Sequence, residues 1–454
     1  MPRRLVVVGG DAAGMSAAST AKRALKDALD VVVLERQPWT SYSACGIPYW
    51  VAGDVTTLDD LVARTPEQHR ANGIDVRTET TAIELDLDAG KVVARTPEGT
   101  ETFAYDELLI ATGAEPVRPD VPGVDADGIH GVQTLADGRR VLDALEKDPK
   151  HVVIVGAGYI GVEMAEACVR RGLETVVVGS HPTPMPTIDA ELGAQIATEM
   201  RTDGIDVRAP VTVTGFESDV DGRVRAVVTD HGTIETDLVI LGAGVRARTE
   251  LAAGAGLPTG VKGALPVDAR GMLDADRHVW AAGDCVESRH RVSGRQVYIP
   301  LGTHANKQGW VVGRNLAGSD VTFPGVVGTA MTKVVTLEIA RTGLGEQDAS
   351  DTGFTPVAVT IEATTSAGYM PNARPLTVKV VADRPSRRLL GAQIVGGEGA
   401  ALRIDSFALA LWNEMTVDDL MMTDLGYAPP FASVWDPVQQ AARAAVSTLG
   451  APLR

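Results

Sequence analysis

Two stretches of the chain repeat one design, and that repetition restricts the fold more than any other feature. In the first, the apolar run Leu5-Val6-Val7-Val8 meets Gly9-Gly10-Asp11-Ala12-Ala13-Gly14. Met15 to Leu29 follows, rich in helix formers, and then a second apolar run, Val31 to Leu34, that ends in Glu35. Short apolar runs bounded by glycine read as parallel strands buried on both faces. Strand, glycine turn, helix and strand make a βαβ unit that seats a pyrophosphate on the helix N-terminus and offers an acid to ribose hydroxyls. Asp11 stands where the pattern has its middle glycine, so this copy is imperfect. The second copy keeps all three: His151 to Val155, then Gly156-Ala157-Gly158-Tyr159-Ile160-Gly161, a helix through Arg171, and a strand from Thr175 to Val178. Two such units imply two dinucleotides, and a flavin with a nicotinamide is the economical pair. That one of the two copies is an empty structural unit is the less economical reading.

The second unit closes on Gly179-Ser180-His181 rather than on an acid. A carboxylate there would bond a ribose 2′-hydroxyl and repel a 2′-phosphate. Its absence admits NADPH beside NADH, with Ser180 and His181 either as phosphate contacts or as ordinary loop residues. Three more apolar strands end in small-residue turns: Leu108 to Ala114 with Thr112-Gly113, Leu238 to Gly244, and Val279 to Asp284. Small residues let backbone approach a cofactor, and the Asp284 carboxylate suits a ribityl hydroxyl. The C-terminal part reads differently. Strand-like runs at Thr329 to Ala340, Val357 to Glu362 and Leu376 to Ala382 precede helical stretches at Ala400 to Glu414 and Val438 to Ser447, an α+β module.

Beyond the first unit lies Ser41-Tyr42-Ser43-Ala44-Cys45-Gly46-Ile47-Pro48-Tyr49. A thiol beside a redox cofactor is a candidate electron relay, whereas a thiol alone is usually a small buried hydrophobe. The chain has three cysteines, at 45, 168 and 285, too few for a disulfide framework and not at metal-ligand spacing. Cys168, inside a helix, and Cys285, after Asp284, read as packing residues. At 454 residues, about three domains are expected. The net charge of −17 argues against a nucleic-acid or anionic-membrane surface, although a local basic pocket remains compatible with it. The N-terminal apolar run is too short for a signal-peptide core, and no stretch reaches the ~20 apolar residues of a membrane span. A cytoplasmic location is expected, where a free thiol stays reduced.

Ser41-x-x-x-Cys45-Gly46-x-Pro48-Tyr49, Ala111-Thr112-Gly113, Gly156-x-Gly158-Tyr159-Ile160-Gly161-x-Glu163, Gly283-Asp284 and Tyr427-Ala428-Pro429-Pro430 stand in an order that resembles the pyridine nucleotide-disulfide oxidoreductases. The nearest branch is the single-cysteine one of coenzyme A-disulfide reductases, NADH oxidases and NADH peroxidases. The resemblance implies an α/β chain of two Rossmann-like domains and a C-terminal α+β dimerisation domain. An FAD domain (1–117 and 245–325) is interrupted by an NAD(P) domain (118–244), and residues 326–454 form the dimerisation domain. It implies a homodimer whose C-terminal domains complete each other's active sites. Implied FAD contacts are Gly9, Gly10, Ala13, Gly14, Glu35, Arg36, Ser41, Thr112, Gly113, Gly283 and Asp284. Those toward NADH or NADPH are Gly156, Gly158, Ile160, Gly161, Glu163, Ser180 and Gly244, with Tyr159 as a gate.

Residue choices separate the branches. NADH peroxidases and many oxidases of the family carry a His where this chain has Ala12. The dithiol branch needs a second Cys shortly after Cys45, and none is present. Reductases specialised for coenzyme A carry two C-terminal tyrosines; Tyr427 matches one by context and Tyr369 the other more loosely. Electrons would pass from nicotinamide to flavin to Cys45, its thiolate stabilised by the ring and by nearby helix N-termini. Tyr427 of the partner subunit would serve as acid, assisted by Tyr369. Lys22, Arg23, Arg64, Arg70, His304 and Asn306 are the candidate contacts for a phosphorylated substrate, against the plain reading as solvated surface. The leading expectation is an FAD-dependent NAD(P)H reductase of coenzyme A disulfide or a related small disulfide or persulfide. The alternatives are an oxidase that uses oxygen and a non-catalytic redox-sensing flavoprotein.

Overall fold

A computed structural model describes residues 2–450. The first glycine unit builds a six-stranded sheet. Strands Arg3–Val8 and Leu29–Leu34 pair in parallel with Leu5 opposite Val31 and Val8 opposite Leu34. Glu107–Ile110 lies on the other side of Arg3–Val8, followed by Val279–Ala281, while Asp75–Arg77 extends the far edge. Met272–Asp274 closes the sheet as its antiparallel strand. The helix expected from Met15 to Leu29 instead runs Ala12–Leu25. It stops at Lys26, which adopts φ +49°, and the next strand already begins at Leu29. The second unit builds an all-parallel sheet in the order Ile205–Arg208, Glu174–Val178, His151–Val155, Leu238–Leu241, Ile129–Gly131.

The glycines do the same work in both units. Gly9 has φ +111° and Gly156 φ +110°. A Cβ on Gly9 would collide with the carbonyl of Ala111, and one on Gly156 with the carbonyl of Gly242. The third glycines, Gly14 and Gly161, press their helices onto the carbonyls of Gly9 and Gly156 in turn. These are positions where any side chain would prise helix from strand. The middle position is different, because a Cβ on Gly158 would meet no protein atom. The fold therefore tolerates Asp11 at the corresponding place in the first unit.

The chain passes from one sheet to the other and back through two adjacent short strands. Ala114–Pro116 and Val245–Ala247 pair antiparallel, and Glu115 forms ion pairs with Arg246 and Arg248 across them. Each unit also carries a three-stranded antiparallel excursion, Thr81–Asp86 to Gly99–Ala104 and Val213–Ser218 to Gly232–Glu235, which the sequence reading did not resolve.

The C-terminal sheet is antiparallel, ordered Ala330–Val334, Leu337–Gly343, Leu389–Gly396, Pro375–Asp383, Pro356–Thr364. The single strand expected from Thr329 to Ala340 is thus a hairpin, reversing at Val335 with φ +52°. Apolar alternation continues through both arms, so period alone did not reveal the turn. Helices Ile404–Trp412, Val417–Met421 and Pro437–Leu449 bury Phe407, Leu411, Leu420, Val438 and Ala442 in the core that also holds Val378 and Val380. Successive strand residues face opposite ways, and Lys379 between them is buried against the second unit. Its ammonium pairs with Asp189 at 2.7 Å and Glu346 at 3.1 Å, and also with Glu191. Removing the ammonium would leave the part-buried Asp189 carboxylate without its cation, so the node holds the C-terminal sheet on the start of the helix Ala190–Thr202.

Candidate active site

A continuous cavity of about 2980 Å³ runs along the carboxyl ends of both parallel sheets, where open α/β sheets hold their ligands. From the first unit it is lined by Gly9, Gly10, Ala13, Glu35, Arg36, Ser41, Cys45, Thr112, Gly113, Gly283 and Asp284. The second contributes Gly156, Gly158, Tyr159, Ile160, Glu163, Ser180 and Gly244. Gly14 and Gly161 lie behind the wall, as their packing role requires.

The donors and acceptors on this wall fit a dinucleotide. Neither the helix from Ala12 nor the helix from Tyr159 is capped by a side chain, so both present N-terminal N–H groups suited to a pyrophosphate. Carboxylates suit hydroxyl groups instead. Glu35 accepts from the N–H of Gly10 and of Gln37, each at 2.7 Å. Burial pushes Asp284 up to about 6. Burial, then the Glu35 and Asp284 charges, push Asp11 up to about 7 against the Tyr42 N–H that lowers it. The hydroxyls of Tyr159 and Tyr298 are buried without a partner, and both side chains line the cavity. This set matches FAD along the first unit and a nicotinamide dinucleotide along the second.

Asp11 explains its own irregularity. Its Oδ1 accepts from the Tyr42 N–H at 3.1 Å, and the Ser41 N–H donates to the Gly10 carbonyl at 3.3 Å. Together they hang the cysteine segment from the glycine turn. On the other side Ser43 donates to Leu61, and Ala63 donates to Ser41, each at 2.8 Å. Cys45 then sits in a tight turn, Ala44–Gly46, that runs into the helix Ile47–Ala52. The thiol opens into the cavity.

The electrostatics around Cys45 differ from expectation. Helix N-termini were expected to favour a thiolate, yet burial, followed by the Glu163, Asp284 and Asp11 carboxylates, pushes the thiol up. Burial is the main cause, and the three acids add to it. Glu163 is itself pushed up by burial and accepts from the Thr332 hydroxyl at 2.7 Å. Lys333 reaches Glu166 at 2.7 Å, one turn further on the same helix. The C-terminal sheet therefore braces the helix that carries Tyr159 and Glu163. Cys168 and Cys285 are buried, with thiols pushed up to about 12 and about 11, which leaves Cys45 as the accessible thiol.

The candidate substrate contacts divide. Arg23, Arg64, His304 and Asn306 line the cavity, joined by Lys307. Lys22 and Arg70 do not. The Lys22 ammonium donates to the Leu29 carbonyl at 2.8 Å, and the Arg70 guanidinium is divided between the Val76 carbonyl and Glu67. Both close local backbone rather than face a ligand. His69 was missed. It lines the cavity, its Nε2 lies 3.0 Å from the Ser41 hydroxyl, and burial followed by Arg64 lowers it to about 4, so the ring is neutral. Nothing in Thr65-Pro66-Glu67-Gln68-His69 singles it out. Tyr369 and Tyr427 stand outside this chain's own cavity, 75% and 49% exposed. They lie side by side: loss of water and then the neighbouring Tyr427 phenol push Tyr369 up.

The chain matches the family described as pyridine nucleotide-disulphide oxidoreductase over residues 3–309, and the dimerisation domain of that family over 329–438. It is 39% identical over 446 residues to an NAD(P)H coenzyme A polysulfide/persulfide reductase of Pyrococcus horikoshii, covering 98% of each chain. An NADH oxidase of Methanocaldococcus jannaschii is 35% identical over 453 residues, covering 98% of this chain and 99% of the relative. The solved NAD-dependent persulfide reductase from A. fulgidus superposes with a TM-score of 0.94 at 34% identity, over 97% of this chain and 82% of that one. Among the described residues no helix is long and apolar enough to cross a membrane. The chain belongs to the pyridine nucleotide-disulphide oxidoreductase family, as a flavoprotein oxidoreductase that works with FAD and a nicotinamide dinucleotide.

Proposed function

We propose that this protein is a homodimeric NAD(P)H-dependent reductase of coenzyme A disulfide or of the corresponding persulfide. The observation that carries the reading is the lone accessible thiol of Cys45 in a cavity that also bears Arg23, Arg64 and Lys307. A single thiol cannot store oxidation as an internal disulfide, so its oxidised form is a mixed disulfide with a small thiol or, with oxygen as oxidant, a sulfenic acid. Guanidinium and ammonium groups on an otherwise acidic chain suit a phosphorylated carrier of that thiol. The exposed apolar surface of Leu402, Leu409, Met422, Phe431, Val434 and Trp435 supports dimerisation through the C-terminal domain.

In the reaction so read, the Cys45 thiolate attacks one sulfur of the substrate disulfide. A new S–S bond forms on Cys45, the substrate S–S bond breaks, and the departing thiolate takes a proton from the Tyr427 hydroxyl of the partner subunit. Gly9, Gly10, Glu35, Arg36, Thr112, Gly113 and Asp284 would hold FAD, which when bound would supply the two electrons of NAD(P)H that return Cys45 to its thiolate and release the second thiol. Tyr159 and Glu163, braced by Thr332, bound the place where the nicotinamide enters.

The test is an anaerobic NADPH and NADH titration with mass spectrometry of the Cys45 peptide. A coenzyme A adduct that leaves on reduction supports the reading; a sulfenic acid with rapid oxygen uptake favours the oxidase instead. Turnover on neither disulfide nor oxygen would leave the redox-sensing flavoprotein. The wall beside Ser180, His181, Thr183 and Thr187 carries no acid at the strand end. Ser180→Asp should therefore raise KM for NADPH by at least about 10-fold and leave NADH within about 3-fold. Equal effects on both would remove Ser180 from the 2′-phosphate site.

A further inference from the structure

The two tyrosines sit on separate loops, and one buried guanidinium joins them. Arg403 ends the short turn Ala401–Arg403, just before the helix Ile404–Trp412. Its Nη2 donates to the carbonyl of Thr365 and to the carbonyl of Phe431, each at 2.7 Å. Its Nη1 donates to the Gly399 carbonyl at 2.6 Å, and its Nε donates to Asp436 at 3.2 Å. The side chain is 12% exposed and Asp436 14%.

Two of these partners, Thr365 and Phe431, lie at the roots of the tyrosine loops. Thr365 opens the loop to Tyr369, closed at its base by Thr365 N–H to the Arg374 carbonyl at 2.9 Å and Arg374 N–H to the Thr365 hydroxyl at 3.1 Å. Phe431 ends Tyr427-Ala428-Pro429-Pro430-Phe431. The loops touch once in their backbones, where Ala367 N–H donates to the Pro429 carbonyl at 2.9 Å. Asp436 in turn accepts from Val438 N–H at 2.9 Å and starts the helix Pro437–Leu449. Tyr369 is mostly exposed and Tyr427 about half exposed, and neither belongs to a hydrophobic core. Their mutual placement therefore depends on what fixes their loops.

We propose that Arg403 is a positioning residue that sets Tyr369 and Tyr427 as one unit, so that a single cation fixes where the proton donor stands. The planar fork is what the site uses, since Nη2 alone bridges carbonyls from two loops while Nη1 and Nε, held in the same plane, reach the Gly399 carbonyl and the Asp436 carboxylate. An ammonium keeps the charge opposite Asp436 but cannot span the same three acceptors. This rests on the proposed disulfide reduction only for its kinetic consequence, because the geometry is a property of the loops.

The test compares Arg403→Gln and Arg403→Lys with the parent in full-length holoenzyme. Flavin reduction by NADPH should stay within about 2-fold, while turnover of coenzyme A disulfide falls about 100-fold in Arg403→Gln and less in Arg403→Lys. On a Tyr369→Phe/Tyr427→Phe background the same Arg403→Gln change should add less than about 3-fold, because the positioned groups are already gone. Hydrogen exchange should quicken in 365–374 and 425–436 together, with the strand Leu389–Gly396 unchanged. Full additivity on the tyrosine background, or equal loss of flavin reduction, would overturn the proposal. Should the parent turn over no disulfide, the proposed function fails, and hydrogen exchange still decides: joint loosening supports the clamp, and unchanged protection refutes it.

Discussion

Cys45→Ser should abolish disulfide turnover, by at least about 10⁴-fold, while NADPH still reduces the flavin within about 3-fold of the parent rate. The reason is the absence of a substitute. Cys168 and Cys285 are buried, and a serine hydroxyl cannot exchange with a disulfide. The protein groups alone push the Cys45 thiol up, through burial and then Glu163, Asp284 and Asp11. On the proposed reading the bound flavin ring would supply the missing stabilisation, and the variant should also lose any absorbance due to a thiolate–flavin contact. Stopped-flow reduction, steady-state turnover and the oxidised spectrum check the three statements. Retained disulfide turnover would show that electrons leave the flavin without this sulfur.

Gly161→Val should cut flavin reduction by NADPH and NADH by about 100-fold or more while FAD content stays full. The side chain would be driven into the carbonyl of Gly156, beneath the second glycine turn, and lift the helix carrying Tyr159 and Glu163. The first turn, with Gly9 and Gly14, is untouched. Flavin absorbance per protein, dithionite reduction and NAD(P)H reduction separate the outcomes. Loss of FAD together with NAD(P)H reactivity would mean that the two units are not independent in binding. The glycine geometry makes them separate sites in one cavity.

What could be read in the sequence was whatever the backbone itself demands. Gly9, Gly14, Gly156 and Gly161 announce themselves because no other residue fits their close approaches. Cys45 was legible through rarity. The hairpin at Val335 was hidden because its two arms share one alternating pattern. Lys379, Arg403 and His69 were hidden for another reason: their partners, Asp189, Phe431 and Ser41, lie well away in the chain, and composition carries no record of side-chain direction. The same blindness put Lys22 and Arg70 among the ligand contacts, when each satisfies a nearby carbonyl. Asp11 was read as a flaw in a motif, although it is the anchor of the Tyr42 backbone.

The paired crossing strands Ala114–Pro116 and Val245–Ala247 bear on how such a protein can change over time. Entry and exit of the second unit are hydrogen-bonded neighbours, so the unit is a cassette whose two ends meet at one socket. Exchange of the cassette for another needs that socket to be reproduced, with Glu115, Arg246 and Arg248 as one fastening. The counterweight is Lys379, a second fastening far from the first, which any incoming cassette must meet with its own carboxylates. Under the proposed function, cofactor choice and thiol chemistry would be inherited on different pieces of the same chain.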